Sequence, residues 1–477
     1  MIDPTKHVHF VGIGGVGMSA LAEALLARGT RVSGSDLHAS PTTERLAARG
    51  ARIFLGHDPQ HVTEADVVVV SAAIPHSNVE LVAARTRGVP VHHRAEVLAQ
   101  LLAEGNGIAV VGTHGKTTTA AMTAHVLAAG GYDPTALIGA EFAPFEGNVR
   151  IGHGRYVVAE VDESDGSLLY IRPAAAVVTS LDITDHRDYY RTRTRLMETF
   201  AAFVAAVPVS GFVVVCTDHA NVRSLRPHVG AKIITYALGE SADYTAHIER
   251  LAGSMTHWTL LDRGQAVAEV TLRVPGRYNV ANALAATAVA RELGMPVERI
   301  GAALATFQGL SRRFSVRGDV EGIMVVDDYA HNPTKVAAVL RAAKECWPDR
   351  RVVAIFQPHR FTRTKTMFRR FAAAFRDADE LIVTEIYPAD EPVIPGVSAA
   401  LIVDAVRAHQ AVTYLPTAED VLTYIVPRLR PHDLVLTLGA GDIWQLADAL
   451  VAVLRAPSGP ARRVGSHPAT TIGDPSG

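Results

Sequence analysis

The stretch Gly107-Ile108-Ala109-Val110-Val111-Gly112-Thr113-His114-Gly115-Lys116-Thr117-Thr118-Thr119 decides the fold. Its apolar run, Ile108 to Val111, predicts a buried parallel strand. The strand empties into a glycine-bounded loop and then a helix beginning near Thr117. Backbone N–H groups in such a loop, and at the helix N-terminus behind it, are arranged to hold phosphate oxygens. Lys116 adds a cation for β- and γ-phosphates, and Thr117 a hydroxyl suited to Mg²⁺. The loop is shorter than the usual P-loop spacing, because Val110 stands where the first glycine would be. A chance Gly-Lys-Thr tripeptide is common, but one between a clean strand and a clean helix is not. Gly112, Thr113, His114, Gly115, Lys116, Thr117 and Thr118 are therefore the expected nucleotide-phosphate loop.

Outward from this unit, strands alternate with helices to both ends, which means α/β architecture with parallel sheets. Upstream, Val8 to Val11 predicts a strand, Val16 to Arg28 a helix and Arg31 to Ser33 the next strand. The run Val67 to Val70 reads as a strand covered on both faces. Gly105-Asn106-Gly107 is a short boundary. Downstream, strands are expected at 156–161, 174–181, 211–216 and 232–236. Residues 243–274 alternate around polar turns and predict a small antiparallel sheet appended to the main one. Asn279 to Leu293 is Ala-rich and helical. A third unit follows from near Val316, with strands at 323–326, 352–356, 381–383 and 434–438 and a last helix from about Asp442 to Leu454.

Composition bounds the answer. At 477 residues the chain suggests about three domains of ~150 residues each. A hydrophobic fraction of 48% supports large cores. A formal charge of −2 argues against a nucleic-acid or membrane-surface protein. The two cysteines, Cys216 and Cys346, have no metal-ligand spacing and point to a reducing compartment. No charged segment followed by an apolar core marks a secretory signal. No apolar run is long enough to span a bilayer. A cytoplasmic location is the expectation. The tail beyond Leu454, rich in Pro, Gly, Ser, Thr and Arg, is expected to be disordered.

Four further segments gather chemistry at strand ends. Gly12-Ile13-Gly14-Gly15-Val16-Gly17 matches the G-x-G-x-x-G fingerprint, and Asp36 follows the second strand at the distance suited to a ribose hydroxyl. Taken alone this says NAD and an oxidoreductase. The physics is only that a diphosphate can approach the backbone there, and a UDP-sugar also carries a diphosphate and a ribose. Glu160 ends an apolar run and opens Glu160-Val161-Asp162-Glu163-Ser164-Asp165, where a magnesium ligand is wanted. One or two of these acids could merely solvate a loop. His186, beside Asp185 and Asp188, could bring a second metal ligand to the same sheet edge. Asp327-Asp328-Tyr329-Ala330-His331-Asn332 and Gln357-Pro358-His359-Arg360-Phe361-Thr362-Arg363 each follow a strand. Together they offer carboxylate, imidazole and guanidinium, a mixture suited to a zwitterion plus phosphate charge.

These motifs resemble the Mur ligase family of peptidoglycan synthesis, from residue 7 to about 452. Gly112-Thr113-His114-Gly115-Lys116-Thr117 and the His186 segment resemble the whole family. His9 to Ser19, Ser33-Gly34-Ser35-Asp36, Ser71-Ala72-Ala73-Ile74, Arg94-Ala95-Glu96, Asp327 to His331 and Gln357 to Arg360 resemble its alanine-adding branch. The resemblance implies three domains: a Rossmann-like UDP-sugar domain over 1–105, a central P-loop ATPase domain over 106–315 and a Rossmann-like amino-acid domain over 316–455. Residues 456–477 are the tail. It also implies a reaction. ATP would phosphorylate the lactyl carboxylate of UDP-N-acetylmuramate, L-alanine's amine would attack the acyl phosphate, and phosphate would leave. Gly12, Gly14, Gly15, Gly17, Asp36 and Ser71 would hold the UDP-sugar. Thr117, Glu160 and His186 would hold Mg²⁺. Asn279 and Asn282 match the family's adenine-side positions, and Arg313 and Asp328 would close on the nucleotide. His331, Arg360 and Arg363 would face alanine and the acyl phosphate. Departures from the family's usual pattern are Ser180 for Asn, Tyr278 for His, Asn332 for His and Lys335 for Glu. A tripeptide-recycling ligase, and a nucleotide-sugar-binding paralogue that does not ligate, are the competing readings.

Overall fold

The computed structural model describes residues 2–182 and 187–456. The sequence expectations at Asp185 and His186, and for the tail beyond 456, lie outside the described residues. The chain divides into two compact units: residues 1–314 with 341–348, and residues 315–340 with those from 349 onward.

The first unit holds two sheets. In the first, the strands His7–Val11, Arg31–Asp36, Arg52–Leu55, Val67–Val70 and Val91–His93 run parallel in the order 3-2-1-4-5. His7–Val11 is buried along its whole length. The order reverses beside this first strand, and ligands of open α/β sheets sit outside the strand ends at such a switch point. The Gly12–Gly17 turn leaves that strand there and feeds the helix Val16–Leu26.

The second sheet has ten strands. Asn106–Val111 lies at its heart, between Tyr156–Glu160 and Ala175–Val178, and pairs with both in parallel. Its apolar residues, Ile108 to Val111, are fully buried. The antiparallel strands Tyr244–Ala252, Met255–Asp262 and Gln265–Leu272 extend this same sheet, because Tyr236 pairs with Tyr244 in parallel. At the opposite edge stands a hairpin, Thr135–Phe142 with Gly147–Arg150. The helix Lys116–Ala129 packs on Arg277–Glu292. Both are alanine-rich where they are buried, at Ala120, Ala121, Ala124, Ala283, Ala286 and Ala290, so their backbones approach closely.

The second unit holds a six-stranded sheet in the order Ser315–Val320, Ile323–Asp328, Asp433–Leu438, Arg351–Phe356, Glu380–Val383, Thr413–Tyr414. The first pair is antiparallel and the rest are parallel. Among the described residues, no helix is long and apolar enough to cross a membrane.

Candidate active site

The phosphate loop is shaped by two left-handed glycines. Gly112 has φ +128° and Gly115 φ +81°. A Cβ on Gly112 would come within 2.3 Å of the Thr179 hydroxyl, and one on Gly115 within 2.6 Å of Asn282 Oδ1. Only glycine meets both the torsion and the space. The loop is then pinned by hydroxyls: the His114 N–H donates to Ser180 Oγ at 2.8 Å, and the Asp182 N–H donates to Thr113 Oγ1 at 2.9 Å. Ser180 is one of the departures noted above, and its small side chain supplies the acceptor that the loop amide requires.

Lys116 lies under the loop with its side chain only 13% exposed. Its ammonium donates to the Gly112 carbonyl at 2.7 Å and lies 3.0 and 2.9 Å from the two carboxylate oxygens of Glu163, which is fully buried. Burial disfavours its charge, but the carboxylates of Glu163, Asp162 and Glu160 outweigh it and hold the lysine pKa above its ordinary value. Lys116 is therefore a cation at neutral pH. Glu163 was one of several equivalent acids in the sequence, and its role is the pairing that the sequence reading missed. The sequence could not say which carboxylate meets the lysine, because a turn after Glu160 decides it.

Glu160 ends its strand with Oε2 buried and without a hydrogen-bond partner, in the space that a Cβ on Gly139 would fill. A buried bare carboxylate oxygen within the electrostatic reach of Lys116 fits a magnesium ligand. Thr117 Oγ1 accepts from Arg313 Nη2 at 3.2 Å, which brings those two candidates together. Among the described residues, no group of three or more His, Cys, Asp or Glu side chains is arranged to hold an ion. Mg²⁺ at a P-loop draws on a hydroxyl, one or two carboxylates, waters and phosphate oxygens, so it needs no such group. Asn282 accepts from the Thr119 hydroxyl at 3.1 Å and donates to Asn279 Oδ1 at 3.2 Å, while Asn279 donates to the Pro275 carbonyl at 2.8 Å. Asn282 therefore braces the helix that follows the loop, at Thr119, and Asn279 holds Asn282 in place.

In the first sheet, Gly12 has φ +76°, and the Gly14 N–H donates to Asp36 Oδ2 at 2.8 Å. Asp36 thus tethers the glycine turn as well as standing at the end of its strand. A Cβ on Gly14 would meet that carboxylate at 2.8 Å, whereas one on Gly15 would find only ordinary contacts at 3.4 and 3.9 Å. Ser71 follows the strand Val67–Val70, and its carbonyl accepts from the Ile74 N–H at 3.1 Å. Beneath the turn, Glu80 is fully buried among His9, His57, His61 and Ser35. Burial pushes its carboxyl up, but the nearby His9 ring and hydrogen bonds from Ser35, His61 and His57 overcome this and hold it at about 2.

In the second unit, His331 is buried and its Nδ1–H donates to the Tyr329 carbonyl at 2.7 Å, which leaves the lone pair on Nε2. Burial, then Lys335, Arg363 and His359, keep its pKa well below the ordinary value, so the ring is neutral. His359 links this histidine to Arg363: the rings of His331 and His359 are 5.9 Å apart, and Arg363 Nη1 donates to His359 Nδ1 at 2.8 Å. His359 also stacks on Tyr387. Arg360 differs. It caps the helix Phe361–Phe371 at φ +68°, a torsion rare for a side-chain-bearing residue, and its exposed guanidinium lies 4.0 Å from Glu391. Asp328 is buried and accepts from the Ala330 N–H at 2.7 Å.

Residues 7–106 match the Mur ligase family catalytic domain, 110–290 the Mur ligase middle domain and 312–441 the Mur ligase glutamate ligase domain. The chain is 46% identical to the UDP-N-acetylmuramate–L-alanine ligase of Geobacter sp. strain M21, over 96% of this chain and 99% of that protein. It is 47% identical to the enzyme of the same name from Pelotomaculum thermopropionicum, over 95% and 99%. Among solved structures, the UDP-N-acetylmuramate-alanine ligase of Thermotoga maritima superposes with a TM-score of 0.81 at 30% identity, covering 94% of this chain and 99% of that one. A murein peptide ligase from Psychrobacter arcticus gives 0.70 at 26% identity, covering 95% and 100%.

Proposed function

The chain belongs to the Mur ligase family, and from that premise we propose that it is the ATP-dependent ligase that joins L-alanine to the lactyl carboxylate of UDP-N-acetylmuramate. The observation that carries the reading is the placement, in one compact unit, of two glycine turns with different chemistry. The Gly12–Gly17 turn offers backbone amides, Asp36 and, at its Gly17 end, the Arg94 guanidinium, which suits a diphosphate and a ribose. The Gly112–Thr117 loop offers the mostly covered Lys116 and the Thr117 hydroxyl beside the bare carboxylate oxygen of Glu160, which suits a phosphoryl group about to be transferred.

Little covalent chemistry falls to the protein, and most of the work is positioning and charge neutralisation. Lys116 would leave Glu163 for the γ-phosphate and offset the charge that grows as the lactyl carboxylate attacks phosphorus. Thr117 and Glu160, with His186, would hold Mg²⁺, which when bound neutralises phosphate oxygens as a Lewis acid. Asn279 and Asn282 would hold the adenine side, and Arg313 and Asp328 the nucleotide. Arg363 would receive alanine's carboxylate through its planar fork. The neutral Nε2 of His331 would take a proton from alanine's ammonium. The free amine then attacks the acyl carbon, and the tetrahedral intermediate expels inorganic phosphate.

The test is phosphate release from ATP and Mg²⁺ in the presence of UDP-N-acetylmuramate, with each amino acid or peptide added in turn. Release that requires L-alanine is the expected result. Release that instead requires the murein tripeptide would move the chain to the recycling branch, and release with neither would favour a binding protein.

A further inference from the structure

The helix Arg94–Glu104 ends the first sheet's part of the chain. Its first side chain reaches into the second sheet's part. Arg94 Nη2 lies 3.0 Å from Asp162 Oδ2 and 3.9 Å from Asp165 Oδ2, and the neighbouring His93 Nε2 lies 3.6 Å from that same Asp165 oxygen. These two aspartates flank Glu163, the residue that grips Lys116. The turn between them is tight: the Ser164 N–H donates to Asp162 Oδ1, the Ser167 N–H donates to Asp165 Oδ1, and the Tyr190 hydroxyl donates to the Glu163 carbonyl. Arg94 therefore anchors the short segment that keeps the phosphate-loop lysine occupied.

The same guanidinium borders the other glycine turn. A Cβ on Gly17 would stand 3.3 Å from Arg94 Nη1, with no other side chain within 4 Å. One nitrogen of the fork thus faces the acidic segment and the other faces the turn that suits a diphosphate. A diphosphate there would compete for the guanidinium, since its two adjacent phosphates match the charge of Asp162 and Asp165 together and arginine binds phosphate oxygens through its planar fork.

We propose that Arg94 is a positioning residue that reports occupancy of the Gly12–Gly17 turn to the phosphate loop: a nucleoside diphosphate draws the guanidinium off Asp162 and Asp165, and the loosened segment lets Glu163 release Lys116 to ATP. The inference rests on reading Gly12–Gly17 as the diphosphate site. It makes binding of the two nucleotides mutually favourable, and by linkage the factor is the same in both directions.

Calorimetry on the full chain tests it, with UDP as the diphosphate probe and Mg²⁺ with a non-hydrolysable ATP analogue as the triphosphate probe. In the wild type, saturating UDP should tighten the ATP analogue by about 5-fold or more, the lower end of typical coupling. In Arg94→Ala the analogue should bind without UDP as tightly as it binds the UDP-saturated wild type, and UDP should change it less than about 2-fold. Asp162→Asn loosens the same contact from the other end and leaves Arg94 in place. It should also remove the coupling while UDP binds at least as well as before. A merely structural Arg94 would lower the melting temperature and leave the wild-type coupling factor intact in whatever folds, which would overturn the proposal. So would a wild type with no coupling, or an Arg94→Ala that weakens UDP while coupling survives in Asp162→Asn. A wild type that binds the ATP analogue but not UDP would fail at the prior step, the assignment of the glycine turn itself.

Discussion

Replacing Lys116 by methionine keeps the aliphatic stem and removes the cation. Two losses should follow, and they can be separated. The first is stability. Glu163 is fully buried with both oxygens about 3 Å from the ammonium, and stripping one partner from a buried pair costs ~3–5 kcal/mol. The second is catalysis. A fixed charge aimed at a developing anion is worth ~3 kcal/mol, about 10²–10³ in rate. The double variant Lys116→Met with Glu163→Gln leaves no uncompensated buried charge, so most of the stability should return while turnover stays low. Guanidinium denaturation followed by tryptophan emission reads the first loss, since Trp258 is fully buried in the sheet that carries the phosphate loop. Phosphate release at saturating ATP reads the second. A single variant as stable as the wild type would contradict the ion pair. A double variant that turns over normally would remove Lys116 from the chemistry.

Gly15→Ala should raise the KM for the UDP-sugar by at least about 10-fold and leave the KM for ATP unchanged, because the turn has room for the Cβ and only an approaching diphosphate would meet it; steady-state kinetics in each substrate decides, and an effect confined to ATP would exchange the roles of the two glycine turns. Arg363→Lys should impair the alanine-dependent step more than acyl phosphate formation, since lysine lacks the planar fork; borohydride trapping of the acyl phosphate without alanine, set beside ligation, measures each step, and equal loss of both would place Arg363 on ATP. Glu80 should confer acid sensitivity. Its carboxyl falls from 4.5 to about 2 on folding, so its contribution of about 3 kcal/mol is complete above pH 4.5 and disappears as pH falls toward 2. Denaturation midpoints across that window should fall less steeply in Glu80→Gln, and an unchanged slope would refute the role.

The parallel strands were the most legible part of the fold. Val67–Val69, Ile108–Val111 and Phe212–Cys216 are buried on both faces, so they read as unbroken apolar runs, and Leu434–Leu438 is interrupted only by the buried Thr437; glycine turns or strand-end acids punctuate them. The hairpin Thr135–Phe142 with Gly147–Arg150 escaped the sequence because its far half carries Gly139, Glu141, Asn148 and Arg150. Its apolar residues Ala136, Leu137, Ile138, Phe142 and Val149 are nonetheless buried. The appended antiparallel sheet was legible as strands, but its continuity with the main sheet was not, since that depends on the parallel pairing of Tyr236 with Tyr244. At the site, the residue types at strand ends were visible and their pairings were not. Glu163 and Asp162 are neighbours in sequence yet meet Lys116 and Arg94, respectively. Arg360 and Arg363 lie one helical turn apart but meet Glu391 and His359.

The central claim is that the lactyl carboxylate is activated by phosphoryl transfer before the amine attacks. UDP-N-acetylmuramate carrying oxygen-18 in that carboxylate tests it most directly. Attack of a carboxylate oxygen on the γ-phosphorus makes that oxygen the bridge of the acyl phosphate, and it departs with phosphate when alanine displaces it. Mass spectrometry of the inorganic phosphate formed during L-alanine ligation should therefore show one oxygen-18 atom per phosphate. Unlabelled phosphate, or label found in AMP with pyrophosphate released, would contradict the account.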